Sequence, residues 1–317
     1  MQYFIALGGA FLISFFLMPL LIKVARKIGF TDKPNKKRKQ HRKPMPLSGG
    51  IGIYISFFII YFIMVKPEGK ENFWIFIGTT LILLIGIYDD SFKSKGKEFP
   101  IAPRLVIQLL SAYLVYRAGV VFRGFDNPFS GNYVLLPDYL QCILTITWIF
   151  GVTTVINWSD GMDGLAGGIS IVSSITFFLA ALILNQEASA LTSIMLTGSI
   201  LGFFMFNKHP AKIFMGDSGA NVIGFLLAII AIDGAFKQAT VMSLFLPIFA
   251  LAVPIFDNLF VIFKRFNEGK PVYQADRSQI HFRLQEKGFS IDQVVNYIII
   301  ISIIFSTISI ALLLIKT

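Results

Sequence analysis

Residues 4–24 read FIALGGAFLISFFLMPLLIKV, an almost unbroken apolar run near the start of a 317-residue chain. A helix needs about 20 mostly apolar residues to cross a bilayer, and this run is long enough. A signal peptide has a shorter apolar core that follows its basic residues, whereas here the basic residues come after the run. We therefore interpret residues 2–24 as a first membrane helix with its N-terminus outside.

Apolar runs of similar length recur along the chain, which is 55% hydrophobic and only 15% charged. Soluble domains contain about 25% charged residues, so the composition excludes a large soluble domain. We predict an all-α fold, a polytopic membrane helix bundle with about ten transmembrane helices, both termini outside and a single domain over residues 1–317. The predicted spans are residues 2–24, 47–65, 72–88, 102–121, 139–156, 166–184, 189–206, 220–236, 239–263 and 292–315.

The net charge of +10 would suggest a nucleic-acid partner in a soluble protein. Here the predicted inside loops and their adjoining helix ends hold 22 of the 28 Lys and Arg residues, as the positive-inside rule requires. These loops are residues 25–46, 89–101, 157–165, 207–219 and 264–291. We predict a multi-pass protein of the cell membrane with no nucleic-acid partner, whose basic run at residues 36–43 contacts membrane lipids. The single cysteine, Cys142, excludes an intramolecular disulfide.

Three acidic clusters, with five aspartates in all, fall in or beside the inside loops, although positive charge on that side does not require them. They are Asp89, Asp90, Asp160, Asp163 and Asp217. Ionisable groups near membrane depth are costly and mark functional sites. We therefore predict that three segments far apart in sequence form one site at the cytoplasmic face.

Asp89 and Asp90 follow the third predicted span. Two adjacent carboxylates repel each other and so favour a cation or a shared proton; the alternative is a helix end that meets water. Lys93 comes next, and Arg104 and Gln108 share one face of the following helix. Together these three offer cations and an amide to a phosphate, although Arg104 alone is typical of an anchor at the membrane surface.

Residues 157–165 read NWSDGMDGL, with two acids, an amide and two glycines between two predicted membrane helices. Glycines let the backbone approach a ligand closely. Asn157, Asp160 and Asp163 are side chains of the types that bind ligands. A tight hairpin is the alternative, and it explains the glycines but not these three polar residues.

Two further inside loops contain candidate residues. Asn207 and Phe214 precede Asp217, which stands between two glycines before an apolar helix; Asp217 suits either a helix cap or a metal ligand. Phe214 suits either an interfacial aromatic or a ring that stacks on a base. In the last loop Arg277, His281 and Arg283 suit anionic oxygens, and the alternative is a basic segment on lipid headgroups.

Carboxylates and basic side chains on one membrane face predict a magnesium-dependent reaction of phosphates. Mg²⁺ is usually held by one or two carboxylates together with substrate phosphate oxygens and water. The sequence contains neither a P-loop lysine motif nor a His-Glu-x-x-His zinc motif. The absence of the first motif argues against an ATPase, and the absence of the second argues against a zinc hydrolase.

The chain resembles the polyprenyl-phosphate N-acetylhexosamine-1-phosphate transferases of glycosyltransferase family 4, which include the phospho-MurNAc-pentapeptide translocase. The resemblance spans nearly the full length, and Asn157-x-x-Asp160-Gly-x-Asp163-Gly-Leu is its most diagnostic motif. It implies that undecaprenyl phosphate attacks the β-phosphorus of a UDP-N-acetyl-sugar, with GlcNAc as the expected sugar, and releases UMP. Such a reaction starts the synthesis of a cell-envelope polysaccharide, a teichoic acid or an O-antigen for example.

The resemblance also implies a role for each matching residue, with Mg²⁺ as cofactor and Mn²⁺ as an alternative. Asp217 is the expected metal ligand. The expected catalytic residues are Asp89, Asp90, Asp160, Asp163 and His281, with the role of Asp89 as a base left open. The expected substrate-binding residues are Lys93, Arg104, Gln108, Asn157, Asn207, Phe214, Arg277 and Arg283.

Three points stay open from the sequence alone. Gln279 and Phe282 stand where many GlcNAc-using members have histidines, so the sugar is less well defined than the reaction. A transporter or lipid flippase is the alternative class, with Asp233 and Asp257 as its main acids in the later helices. The oligomeric state is not determined by the sequence, and a homodimer is one alternative.

Overall fold

The computed structural model describes residues 1–34, 43–65, 70–127, 130, 132–234, 241–271 and 277–315. The predicted helical architecture is confirmed. The helices are α1 (Gln2–Ile28), α2 (Gly49–Met64), α3 (Lys70–Ser94), α4 (Ile101–Ala118), α5 (Asp138–Ser159), α6 (Leu165–Ile183), α7 (Glu187–Asn207), α8 (Gly216–Gly234), α9 (Val241–Ala250), α10 (Ala252–Asn267), α11 (Ile280–Glu286) and α12 (Ile291–Leu314).

Two short antiparallel hairpins interrupt this pattern, and the predicted all-α fold did not include them. Strand β1 (Thr31–Asp32) pairs with β2 (Met45–Pro46), and β3 (Gly124–Asp126) pairs with β4 (Tyr133–Leu135). Two or three paired residues carry too little periodicity to be recognised in a sequence. The predicted lipid-binding residues 36–42 lie outside the described part of the chain.

Among the described residues, seven helices are long and apolar enough to cross a membrane: α1, α3, α5, α6, α7, α8 and α12. Helix α2 is apolar but shorter. A polytopic helical membrane protein is therefore confirmed, whereas the number of ten spans and the side of the termini stay predictions.

The predicted span 239–263 does not form one helix. Helix α9 ends at Ala250 and α10 begins at Ala252, with Leu251 between them. In a continuous helix the ring of Pro254 would clash with the carbonyl of Ala250, four residues earlier. The chain therefore breaks at this point, and α10 begins as a separate helix.

Helix α8 lies at the centre of the bundle, where it packs against α2, α3, α5, α6 and α7. Most of its residues are fully buried, including Val222, Phe225 and Leu227. A helix that is apolar on every side belongs inside a larger assembly and not at its surface. Its first residues, at Asp217 and Ser218, are thereby fixed against the ends of the surrounding helices.

Close contact between α3 and α8 depends on Gly86. A Cβ atom added at Gly86 would overlap the backbone of Ser218, so only glycine lets α3 approach α8 this closely. Small residues allow the same close approach between membrane helices in general. One turn beyond Gly86 lie Asp89 and Asp90, which the contact brings to the start of α8.

We expect Gly86→Ala to lower the free energy of unfolding by about 1–3 kcal/mol, since the added methyl group meets rigid backbone. Thermal unfolding in detergent measures this change. The matched control is Gly151→Ala in α5, where nothing lies within 4 Å of the added Cβ atom. The control should be neutral or slightly stabilising, and equal melting temperatures for the two variants would contradict the predicted close contact.

Candidate active site

The predicted acidic residues meet at one end of the bundle. Asp90 lies near the C-terminal end of α3, Asp160 follows α5, and Asp217 begins α8. A cavity of about 340 Å³ opens between them. It is lined by Asp32, Leu47, Asp90, Lys93, Asp160, Gly161, Met162, Asp163, Asn207, His209, Phe214, Gly216, Asp217, Phe282 and Ile291. Seven predicted site residues therefore share one cavity.

Asp90 joins α3 to α8. Its Oδ1 atom accepts the Asp217 N–H at 2.9 Å, and its Oδ2 atom accepts the Ser218 N–H at 3.1 Å. The first N–H groups of a helix have no partner within it, and the helix dipole favours a negative charge there. The fully buried carboxylate of Asp90 therefore caps α8 from a neighbouring helix. On sequence grounds Asp217 was one candidate for the cap of this helix. In the structure the cap is Asp90, and it accepts the N–H of Asp217.

Two cations surround the side chain of Asp217. Lys93 Nζ lies 2.6 Å from Asp217 Oδ2, and Arg104 Nη1 lies 3.6 Å from the same oxygen. Arg104 Nη1 also donates to Asp89 Oδ2 at 2.8 Å. The two cations thus neutralise only part of the negative charge of the carboxylates of Asp89, Asp90 and Asp217. This cluster can therefore bind a further cation.

Asp160 differs from these paired carboxylates. Burial, and secondly the negative charge of Asp217, raise the pKa of Asp160 to about 8. The positive charge of Lys93 opposes this rise in pKa only in part, so the Asp160 carboxyl is predominantly protonated at neutral pH. A cation that entered the cavity would stabilise its ionised form.

Asp163 and Asn207 join the two central loops of the site. Asp163 Oδ2 is hydrogen-bonded to His209 Nδ1 at 2.8 Å and accepts the Ala211 N–H at 3.0 Å. Asn207 accepts the Gly164 N–H at 3.0 Å and donates to the Ile213 carbonyl at 2.8 Å. Both residues line the cavity, but these bonds already use much of their hydrogen-bonding capacity, which indicates that they hold the loops in place.

The loop before α2 holds Phe214 at the cavity. The Phe214 N–H donates to the Pro46 carbonyl at 2.9 Å, and the Phe214 carbonyl accepts the Gly49 N–H at 3.0 Å. These main-chain bonds fix the backbone of Phe214 independently of its side chain. The residue forms part of the cavity wall.

His281 is buried and does not line the cavity. Its ring packs against Gly161, where an added Cβ atom would overlap the imidazole, and Nε2 has no hydrogen-bond partner among the described residues. Burial lowers the pKa of His281 to about 4, so the ring is neutral at pH 7. The neighbouring Phe282 reaches the cavity in its place.

The remaining predicted residues lie behind the cavity or beside it. Asp89 and Arg104 form the ion pair behind Asp217, and Gln108 donates to Asn221 on α8 at 3.3 Å. Asn157 has a buried amide nitrogen without a partner among the described residues. Arg277 lies over the ring of Phe282 at 5.1 Å, and Arg283 pairs with Asp257. The structure thus does not bring Gln108, Asn157, Arg277 or Arg283 to the cavity surface.

Several lining residues were not predicted. His209 lies in the same loop as Asn207 and Phe214, so its position in that loop could have identified it. Met162 lies between Asp160 and Asp163, so the same argument applies to it. Asp32, Leu47 and Ile291 carried no comparable signal, because their place at the cavity depends on packing between distant segments. Phe282 was noted only as a replacement for a histidine.

No group of three or more His, Cys, Asp or Glu side chains arranged to hold a metal ion occurs within the described ranges. A site that completes its coordination with substrate phosphates and water needs fewer protein ligands, as Mg²⁺ sites commonly do. The oxygen-only donors Asp90, Asp160 and Asp217 fit such an ion in their chemistry.

Fold and site together define a polytopic helical membrane protein with a carboxylate-lined cavity at one end of its bundle. Residues 72–235 match the family described as glycosyl transferase family 4, and similarity to curated proteins extends over most of the chain. The chain belongs to this family. Membership favours a transferase over the transporter that the sequence left open.

Three relatives illustrate the similarity. The chain is 35% identical to a probable undecaprenyl-phosphate N-acetylglucosaminyl 1-phosphate transferase of Bacillus subtilis, over 93% of this chain and 81% of the relative. It is 27% identical to the undecaprenyl-phosphate alpha-N-acetylglucosaminyl 1-phosphate transferase of Escherichia coli K12, over 88% and 77%. It is 31% identical to a phospho-N-acetylmuramoyl-pentapeptide-transferase of Bacillus cytotoxicus, over 87% and 88%.

We expect His281 to stay neutral between about pH 5 and 8, because its pKa lies far below the ordinary value of about 6.5. In NMR spectra of the protein with isotope-labelled histidine, one imidazole signal should not titrate in this pH range. The same signal should be missing from the spectrum of the His281→Gln variant. The stability contributed by the neutral ring is complete above the unfolded pKa and is lost as the pH falls towards 4. A midpoint near 6.5 for the signal that the variant removes would contradict the burial of this ring.

Proposed function

We propose that this protein transfers a phospho-N-acetylhexosamine, GlcNAc-1-phosphate, from a UDP-sugar to undecaprenyl phosphate and releases UMP. The reaction would be the first membrane step of a cell-envelope polysaccharide, at the cytoplasmic face. The observation that carries the proposal is the shared cavity of Asp90, Asp160, Asp163, Asp217 and Lys93. The names of two of the three relatives print both undecaprenyl phosphate and an N-acetylglucosaminyl 1-phosphate transferase, which supports the same reaction.

The proposed reaction needs no covalent enzyme intermediate. An oxygen of the lipid phosphate forms a bond to the β-phosphorus of the donor, and the bond from that phosphorus to the bridging oxygen breaks. UMP leaves with the bridging oxygen, and the product keeps both phosphates between sugar and lipid. A lipid phosphate is largely ionised at neutral pH, so little deprotonation is required, which limits any role of Asp89 as a base. Positioning and neutralisation of charge supply most of the catalysis in such transfers.

Mg²⁺ is the proposed cofactor, with Mn²⁺ as an alternative, and Asp217 is its proposed ligand. When bound, the ion would neutralise the diphosphate of the donor. Lys93 already contacts Asp217 at 2.6 Å and reaches the cavity, so its ammonium group would contact the same diphosphate. Asp90 holds the backbone of Asp217 in place and thereby orients the proposed ligand.

The two substrates would approach from different surroundings. Arg104 lies behind Asp217, and about 30% of its side chain is exposed. It belongs to α4, whose outer face carries the exposed apolar residues Leu105, Val106 and Leu109. Its guanidinium group is placed to receive a phosphate tethered in lipid. The uridine would enter the polar cavity from water, where the ring of Phe214 offers a surface for the base.

Asp217→Asn should lower kcat by about 100-fold or more, because one neutral amide replaces the carboxylate that holds the cation. UMP release from UDP-GlcNAc with undecaprenyl phosphate and Mg²⁺ measures the effect in detergent. Thermal stability should change little, since the side chain lies at the cavity and not in the packed core.

Asp292→Asn is the matched control, because Asp292 is an exposed carboxylate at the start of α12 and at the same end of the bundle. It should retain wild-type turnover. Magnesium-dependent turnover in Asp217→Asn would remove Asp217 from the metal site. If the wild type released no UMP from any UDP-N-acetylhexosamine, the proposed function itself would be wrong.

The pKa of Asp160 predicts how Mg²⁺ binding depends on pH. Because a cation favours the carboxylate, binding below pH 8 must release the proton of Asp160. The affinity should therefore weaken by up to about tenfold for each pH unit below 8 and level off above it. Calorimetric titration with Mg²⁺ over about pH 6–9 measures the dependence. Asp160→Asn should abolish most of it, and a wild-type affinity that stays constant below pH 8 would contradict the prediction.

A further inference from the structure

The short helix α11 (Ile280–Glu286) forms a wall of the cavity without belonging to the membrane bundle. It brings His281 against Gly161 and places Phe282 at the cavity surface. A helix of seven residues is too short to be stable by itself. Contacts with the rest of the protein must therefore hold α11 in position.

Asp257 provides such a contact from the neighbouring helix α10. Its carboxylate accepts the Ile280 N–H with both oxygens, at 2.9 and 3.0 Å. Ile280 is the first residue of α11, so its N–H has no partner inside that helix. The side chain of Asp257 is 9% exposed, and its capping bond is therefore sheltered from competing water.

Arg283 completes the contact one turn further along α11. Its Nη2 atom donates to Asp257 Oδ1 at 3.0 Å, and its guanidinium group lies 4.3 Å from the centre of the Phe260 ring. Asp257 and Phe260 both belong to α10, so this arginine faces α10 and not the cavity. The contact gives Arg283 a part in docking α11, and its role in substrate binding stays a prediction.

Helix α10 is in turn joined to the end of α5, which leads into Asp160. Arg265 is 2% exposed and lies 5.4 Å from the ring centre of Trp158. Asn258 donates to the Val155 carbonyl at 3.3 Å. One helix therefore connects two walls of the cavity, the turn at residues 160–163 and the segment that carries His281 and Phe282.

We infer that Asp257 is a positioning residue that docks α11 and thereby forms the part of the cavity that receives the sugar nucleotide. This inference rests on the proposed function. Without the carboxylate, the Ile280 N–H and the Arg283 guanidinium lose their shared acceptor, and Phe282 leaves the cavity. The Asp217–Lys93 and Asp89–Arg104 pairs are formed by other helices and remain. Loss of Asp257 therefore weakens donor binding and leaves the reacting centre in place.

Steady-state kinetics of Asp257→Ala, which removes both acceptor oxygens, separates these effects. The KM for the UDP-sugar should rise by about tenfold, while kcat at saturating donor and the KM for the lipid phosphate change less than about threefold. Arg283→Gln, which keeps the bond from Asp257 to Ile280, should give a smaller rise in the same constant. The double variant should show less than the sum of the two single effects, because both changes break the Asp257–Arg283 contact. The control is Glu268→Gln, just after the end of α10, which changes the exposed pairs of Glu268 with Lys264 and Lys270.

Limited proteolysis provides a second measurement that does not need activity. Trypsin should cleave after Arg283 about tenfold faster in Asp257→Ala than in the wild type or Glu268→Gln, since cleavage requires α11 to undock. A fall in kcat with an unchanged donor KM, or an unchanged cleavage rate, would overturn the inference. If the wild type releases no UMP, the proposed function is wrong. The proteolysis result still decides the docking of α11 in that case. Faster cleavage of the variant supports the docking, and an unchanged cleavage rate refutes it.

Discussion

The bond from the Asp90 carboxylate to the first N–H groups of α8 connects the two helices that create the site. A buried carboxylate is costly unless donors surround it, and here the donors are the Asp217 and Ser218 N–H groups of the most buried helix in the bundle. The bond places the side chain of Asp217 beside Lys93 and Arg104. Because α3 approaches α8 through Gly86, helix packing and the position of the polar site depend on the same contact.

The rest of the site follows from the alternating directions of the helices. Helices α3, α5 and α7 end at the cavity, while α6, α8 and α12 begin there. Backbone groups at these helix ends lack partners inside their own helices, and side chains such as Asp90 and Asn207 satisfy some of them. The loops are therefore held by hydrogen bonds, and the cavity is largely preformed before any substrate binds.

Sequence patterns predicted the parts of this arrangement that local chemistry determines. The apolar runs predicted the main helices, and the aspartates placed in consecutive inside loops predicted where the site would form. Side-chain direction was harder to predict, since Gln108 contacts Asn221 and Arg283 contacts Asp257 through packing between distant segments. The break before α10 and the docking of α11 likewise depend on tertiary contacts that no single segment encodes.

The central claim is that carboxylates from separate segments share one aqueous cavity at one face of the membrane. Cysteine labelling tests it most directly, with Met162→Cys, His209→Cys and Ile291→Cys each made in a Cys142→Ser background. These positions represent three segments that line the cavity. A membrane-impermeant thiol reagent should label all three in inside-out vesicles and none in right-side-out vesicles. Labelling of any two positions from opposite faces would contradict a single reaction centre.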